Sequence, residues 1–98
     1  MSVVYIYRGS GRFAGGAFEW NNPPLGSKHE FILFLLQEQD EPKQQAAHAE
    51  VDRFGFKQVQ LFPGKKIAVE ALNEPSTAMF QKNYEDALAD GSSLVWYP

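Results

Sequence analysis

The chain holds two histidines and no cysteine, which excludes thiol catalysis and cysteine-ligated zinc or iron–sulfur centres. His48 stands four residues before Asp52. On a helix that spacing puts imidazole and carboxylate on one side, as a surface contact worth about 0.2–0.5 kcal/mol rather than a catalytic dyad. His29 and His48 share neither an i, i+4 spacing nor an H-E-x-x-H motif, so no metal and no cofactor is expected. Ser10 lies in Gly9-Ser10-Gly11, outside the G-x-S-x-G context of a strained nucleophile turn. The stretch Gly9-Ser10-Gly11-Arg12-Phe13-Ala14 matches a dinucleotide fingerprint by letter. That fingerprint works only when a helix N-terminus follows and meets the pyrophosphate. Gly15, Gly16, Pro23 and Pro24 oppose a helix there, so residues 9–20 read as a glycine-rich hairpin. Nothing supports a catalytic set, and the chain leans away from being an enzyme.

Binding residues are better represented. Arg12, Phe13, Phe18 and Trp20 gather in the glycine-rich segment, and Arg and aromatics are the types enriched at interface hot spots. Their alternative is packing on the sheet. Nine Lys and Arg against twelve Asp and Glu give a net charge of −3. Between Glu38 and Asp52 five acids face Lys43 alone, a local charge of −4. Such a segment repels phosphate backbones and steers a basic partner, which makes Asp40 and Glu41 candidate partner-binding residues and argues against nucleic acid. Lys65 and Lys66 read as guards of a sheet edge.

These groups must be held by elements that the pattern predicts. Val3–Arg8 is apolar, β-branched and aromatic, a strand. Residues 31–36 are apolar on both alternating faces, the pattern of a central strand covered on two sides. Asp40 or Glu41 before Pro42 starts a helix that runs to Phe54, with Ala47, Val51 and Phe54 as its stripe and Gly55 as its stop. Strands 57–62 and 65–72 follow, joined through a turn at Pro63-Gly64. Asn73 and Pro75 open a second helix with Phe80, Tyr84, Ala87 and Leu88 on its apolar side and Gly91 at its end. The last strand is 94–97.

With 98 residues the chain is expected to be one α+β domain: an N-terminal hairpin and loop over 1–27, then a βαββαβ core over 28–98. That order is the ferredoxin-like split βαβ pattern, with both helices on one face of an antiparallel sheet. The doubly apolar strand then needs a cover on the other face, either the aromatic hairpin with Tyr5, Tyr7, Phe13, Phe18 and Trp20 or a second copy. The first expectation is a cytoplasmic acidic module, inhibitor-like or immunity-protein-like, that occludes a basic partner protein. The second is a dimeric α+β barrel with a ligand pocket between two sheets. Single-strand nucleic-acid binding by the hairpin aromatics is third. No run is long enough to span a membrane.

Overall fold

The computed structural model describes residues 3–15, 24–67 and 80–97. It is an α+β structure with an open antiparallel sheet of five strands and two helices: β1 (Val3–Phe13), β2 (Lys28–Gln37), α1 (Gln44–Arg53), β3 (Phe56–Leu61), β4 (Lys65–Lys66), α2 (Gln81–Asp90) and β5 (Ser92–Tyr97). The strands are ordered β3-β1-β2-β5, with β4 beside β1, and every described pairing is antiparallel. No described helix is long and apolar enough to cross a membrane.

Phe31–Leu35 are all buried, and β2 lies between β1 and β5 as its two-sided apolar pattern demands. Successive strand side chains point to opposite faces. Phe31, Leu33 and Leu35 therefore join one core with Ala47 and Val51 of α1, while Ile32 and Phe34 join a second core with Ala87, Tyr84 and Phe80 from α2 and the turn before it. The two helices thus sit on opposite faces of the sheet, which corrects the expectation of both on one face. The reason is energetic. Each buried Leu, Ile or Phe side chain contributes roughly 1.5–3 kcal/mol, and a strand apolar on both sides collects this only if both sides are covered. Among the described residues that cover comes from α1 on one side, where Tyr5, Tyr7 and Phe13 of β1 join the same core, and from α2 on the other.

The N-terminal strand is longer than expected. It runs through Gly9-Ser10-Gly11 to Phe13 and pairs with β2 on one side and β3 on the other, so this segment is strand rather than hairpin tip. Gly9 fits because a Cβ there would lie 2.3 Å from the Gln60 carbonyl oxygen. The expected hairpin residues 16–20 lie outside the described residues.

Pro63-Gly64 likewise is not a hairpin turn. β3 and β4 both run antiparallel to β1, β3 along Gly9–Phe13 and β4 along Tyr5–Ile6, so Phe56–Lys66 is one edge strand broken in the middle. Proline lacks the donor a ladder needs, and the break is held by Gln44 of α1. Its Oε1 accepts the Gly64 N–H at 2.8 Å and its Nε2 donates to the Phe62 carbonyl at 3.2 Å. The Tyr7 ring lies against Gly64, where a Cβ would stand 2.3 Å from its Cε1.

Helix α1 starts at Gln44, after Pro42, and lacks the expected first-turn acids. Asp40 and Glu41 are held in the preceding bend by other partners. Lys43 stands at the N-cap and makes no side-chain cap, while its own amide donates to the Tyr7 hydroxyl at 2.8 Å. Gly55 and Gly91 stop the helices in left-handed conformation, φ 101° and 93°, as expected. Leu88 departs from expectation: it is 48% exposed rather than core. Asn73, Pro75 and residues 68–72 lie outside the described residues.

Gly64→Ala is expected to lower unfolding free energy by about 1–3 kcal/mol in urea titrations, because the buried Tyr7 ring must move to admit the methyl. An unchanged midpoint would show that Tyr7 does not pack on the strand break.

Candidate functional site

The alternation that buries β1 and β2 also sorts charge. On the face covered by α2, residues Val4, Ile6, Ile32 and Phe34 pack under or beside the helix, and the same face continues beyond it as Arg8, Ser10 and Arg12 on β1 and Lys28 and Glu30 on β2. Arg8, Arg12, Lys28 and Glu30 are exposed. β5 adds Tyr97 opposite Glu30 and β3 adds Gln60 opposite Ser10. Phe62, 68% exposed, and Tyr97, 38% exposed, border this area. Hollows lined by described residues indent it, with about 380 Å³ between Arg8, Glu30, Phe62, Phe80 and Tyr97, about 420 Å³ around Arg8, Phe62, Pro63 and Lys65, and about 270 Å³ around Ser10, Arg12, Lys28 and Gln60.

Arg12 and Lys28 are directly opposite each other across the β1–β2 ladder. Like charges so placed destabilise an antiparallel pair. Arg12 donates from Nη1 to the Gly26 carbonyl at 2.9 Å, but among the described residues neither Arg12 nor Lys28 enters an ion pair, and neither do Arg8 and Lys65. The other five cations, Lys43, Arg53, Lys57, Lys66 and Lys82, are all paired.

The acidic segment 38–52 shows the converse. Lys43 reaches Glu41 at 2.6 Å, Lys57 reaches Asp52 at 2.5 Å, Lys66 reaches Asp40 at 3.1 Å, and Arg53 pairs with Glu50. Five carboxylates thus have four cations among them, three of which come from beyond residue 52. The charge that looks concentrated along the chain is largely compensated in space. Asp52 meets Lys57, not His48.

Asp40 has a structural duty as well. Its Oδ1 accepts the Tyr5 hydroxyl at 2.9 Å and its Oδ2 accepts Lys66. Those two hydrogen bonds, Lys66 first, hold the Asp40 carboxyl below its usual range. Burial, followed by the bond to Asp40, pushes the Tyr5 phenol up to about 12, and burial raises Tyr7 too. Tyr7 donates to Gln37 Oε1 at 2.9 Å, and Gln37 in turn donates to the Gln39 and Glu41 carbonyls. Two tyrosines and Gln37 therefore fasten the bend that leads into α1.

Of the remaining site residues named from sequence, Phe13 is buried against Phe56 with ring centroids 5.6 Å apart, which is the packing alternative. Phe18 and Trp20 lie outside the described residues. Arg12 is exposed as expected.

One pairing had no signal in the sequence. Ser27 Oγ lies 2.7 Å from His29 Nε2, and His29 Nδ1 lies 2.8 Å from the Tyr97 carbonyl oxygen. Serine, imidazole and an orienting acceptor resemble a nucleophile and its base. Proton counting argues otherwise. Ser27 Oγ is also 2.5 Å from the Pro24 carbonyl oxygen, so the three contacts require three protons, whereas neutral serine and imidazole bring two. If both ring nitrogens donate, none is free to take the serine proton. If Ser27 donates to His29 instead, two acceptor oxygens face each other at 2.5 Å. The group closes the 24–29 turn onto β5, with Trp96 stacked edge-on at 4.9 Å from the imidazole. Among the described residues no three His, Asp or Glu side chains cluster to hold a metal ion.

Comparison of the chain with known protein families, curated proteins and solved structures finds no match.

The tyrosine network sets the alkaline limit of the fold. Unfolded tyrosine ionises near 10.0, before the folded Tyr5 does, so the unfolded state binds fewer protons above that pH and stability falls as pH rises from 10.0 toward 12. At the acid end Asp40 contributes stability above the ordinary carboxyl value of 3.8 that is lost as pH falls below it. Urea titrations across the alkaline range are expected to show a shallower decline for Tyr5→Phe than for wild type, with Tyr7 supplying the remainder. Parallel declines would remove Tyr5 from the account.

Proposed function

We propose that the chain is a protein-binding module that acts by occluding its partner, and that its docking face is the end of the sheet left open beyond α2. The observation that carries this reading is the Arg12–Lys28 pair. Among the described residues five of the other seven cations have a carboxylate, yet Arg12 and Lys28 are kept opposite each other, at a cost of about 0.2–1 kcal/mol that an external anion would relieve. Arg8 and Lys65 extend the same charge, and Phe62 and Tyr97 add the exposed aromatic surface from which interface anchors are drawn.

This reading keeps the occluding module expected from sequence but moves its face and reverses the partner's charge. Asp40 and Glu41 are compensated at home and offer little field to a basic surface, whereas four cations against the single carboxylate Glu30 attract an acidic one. Glu30 in the middle of the face favours a protein, whose surface can place a donor opposite it, over a uniform phosphate chain.

Lys28→Glu separates the two roles of this face. It is expected to raise stability by about 0.2–1 kcal/mol by converting a repulsive pair into an attractive one, while weakening anion binding. Titration of the isotopically labelled chain with a polyglutamate peptide should shift the amides of Arg8, Arg12, Lys28 and Gln60 in a salt-sensitive way, and Lys28→Glu should reduce the response severalfold. No response at those amides, or one indifferent to the substitution, would contradict the proposal. A stronger response at the same amides to a mixed-sequence single-stranded oligonucleotide would reassign the face to nucleic acid.

A further inference from the structure

The two edges of the sheet are treated differently. The β3–β4 edge carries Lys57, Lys65 and Lys66, a proline break at Pro63, and a bulge opposite Ser10 and Arg12 where Gln58 adopts φ 53°. Lysines, proline and bulges are the devices by which a sheet edge resists pairing with another strand. The β5 edge has none of them. Ser92-Ser93-Leu94-Val95-Trp96-Tyr97 is uncharged, free of proline and glycine, and regular in register along β2. Among the described residues no strand lies beyond it.

The ladder fixes which backbone groups that edge presents. The Leu36 amide donates to the Gly91 carbonyl at 2.9 Å. Antiparallel pairs alternate between bonded and non-bonded, so Ser93, Val95 and Tyr97 bond to Phe34, Ile32 and Glu30. Ser92, Leu94 and Trp96 turn their N–H and C=O groups outward. The outward row is symmetric about Leu94.

We propose that β5 pairs antiparallel with β5 of a second copy about a two-fold axis at Leu94, joining the two sheets into one. In that register Leu94 faces Leu94 and Ser92 faces Trp96 of the other copy. Three facing pairs, each exchanging two bonds, then use every outward N–H and C=O of both strands. A two-fold interface sets a surface against itself, and an uncharged strand does so without like charges meeting. The interface uses none of Arg8, Arg12, Lys28 and Lys65, and shares with the proposed docking face only Tyr97 at the end of β5.

Sedimentation equilibrium of the wild-type chain from micromolar to near-millimolar concentration is expected to give twice the monomer mass of 11.1 kDa at the upper end. Hydrogen exchange in the same samples supplies the site. The amides of Val95 and Tyr97 should be protected at all concentrations, whereas those of Leu94 and Trp96 should gain at least tenfold protection only where the dimer is populated. Val95→Lys, which brings two lysines to diagonal positions across the axis, should shift the mass toward monomer. A monomer throughout, or a dimer in which Leu94 and Trp96 exchange as freely as in dilute solution, would overturn the proposal. If Val95→Lys fails to fold, the wild-type exchange pattern alone decides it.

Discussion

The structure depends on burying one strand on both sides. Residues 31–35 of β2 carry large apolar side chains to both faces of the sheet, and water can be excluded from both only if the two helices part company. That requirement puts α1 over one face and α2 over the other. It also draws β1 into the sheet interior, where it is flanked by β2 and by the broken β3–β4 edge. Tyr5 and Tyr7 then lie under the bend between β2 and α1, and their hydroxyls take polar partners that let them remain in the apolar layer. The bend, the start of α1 and the strand break at Gly64 are all fastened to these two rings or to Gln44 beside them.

Electrostatics follow from the same layering. Around α1 and its rim the acids at 38–52 lie beside Lys43, Arg53, Lys57 and Lys66, so local ion pairing leaves little free charge there. Among the described residues the open end beyond α2 keeps cations that no carboxylate pairs. Exposed ion pairs add little stability, yet their distribution decides what the surface presents to other molecules. The chain is acidic as a whole and basic at one end of one sheet face.

Much of this was legible from residue patterns. The two-sided run at 31–36 marked the central strand, Ala47 and Val51 marked the buried side of α1, and Gly55 and Gly91 marked helix ends. What failed did so for identifiable reasons. Proline followed by glycine at 63–64 is a turn signal, but it serves equally well to break an edge strand when a glutamine from another element bonds the freed groups. Glycines 9 and 11 looked like a hairpin tip, whereas they admit the close approach of the β3 backbone. Element order implied a familiar handed arrangement with helices together, while the apolar content of β2 already required them apart. The acidic segment misled because Arg53, Lys57 and Lys66 all follow residue 52, where the counted segment stops, and Lys66 reaches Asp40 from 26 residues further along the chain. The like-charge pair at Arg12 and Lys28 could not be found without the β1–β2 register.

Methyl nuclear Overhauser spectroscopy on the dilute chain tests the two-sided burial most directly. Leu33 and Leu35 should show cross-peaks to Val51 and none to Ala87, while Ile32 should show cross-peaks to Ala87 and none to Val51. Cross-peaks from Val51 and Ala87 to the same residues of β2 would put both helices on one face and contradict the account.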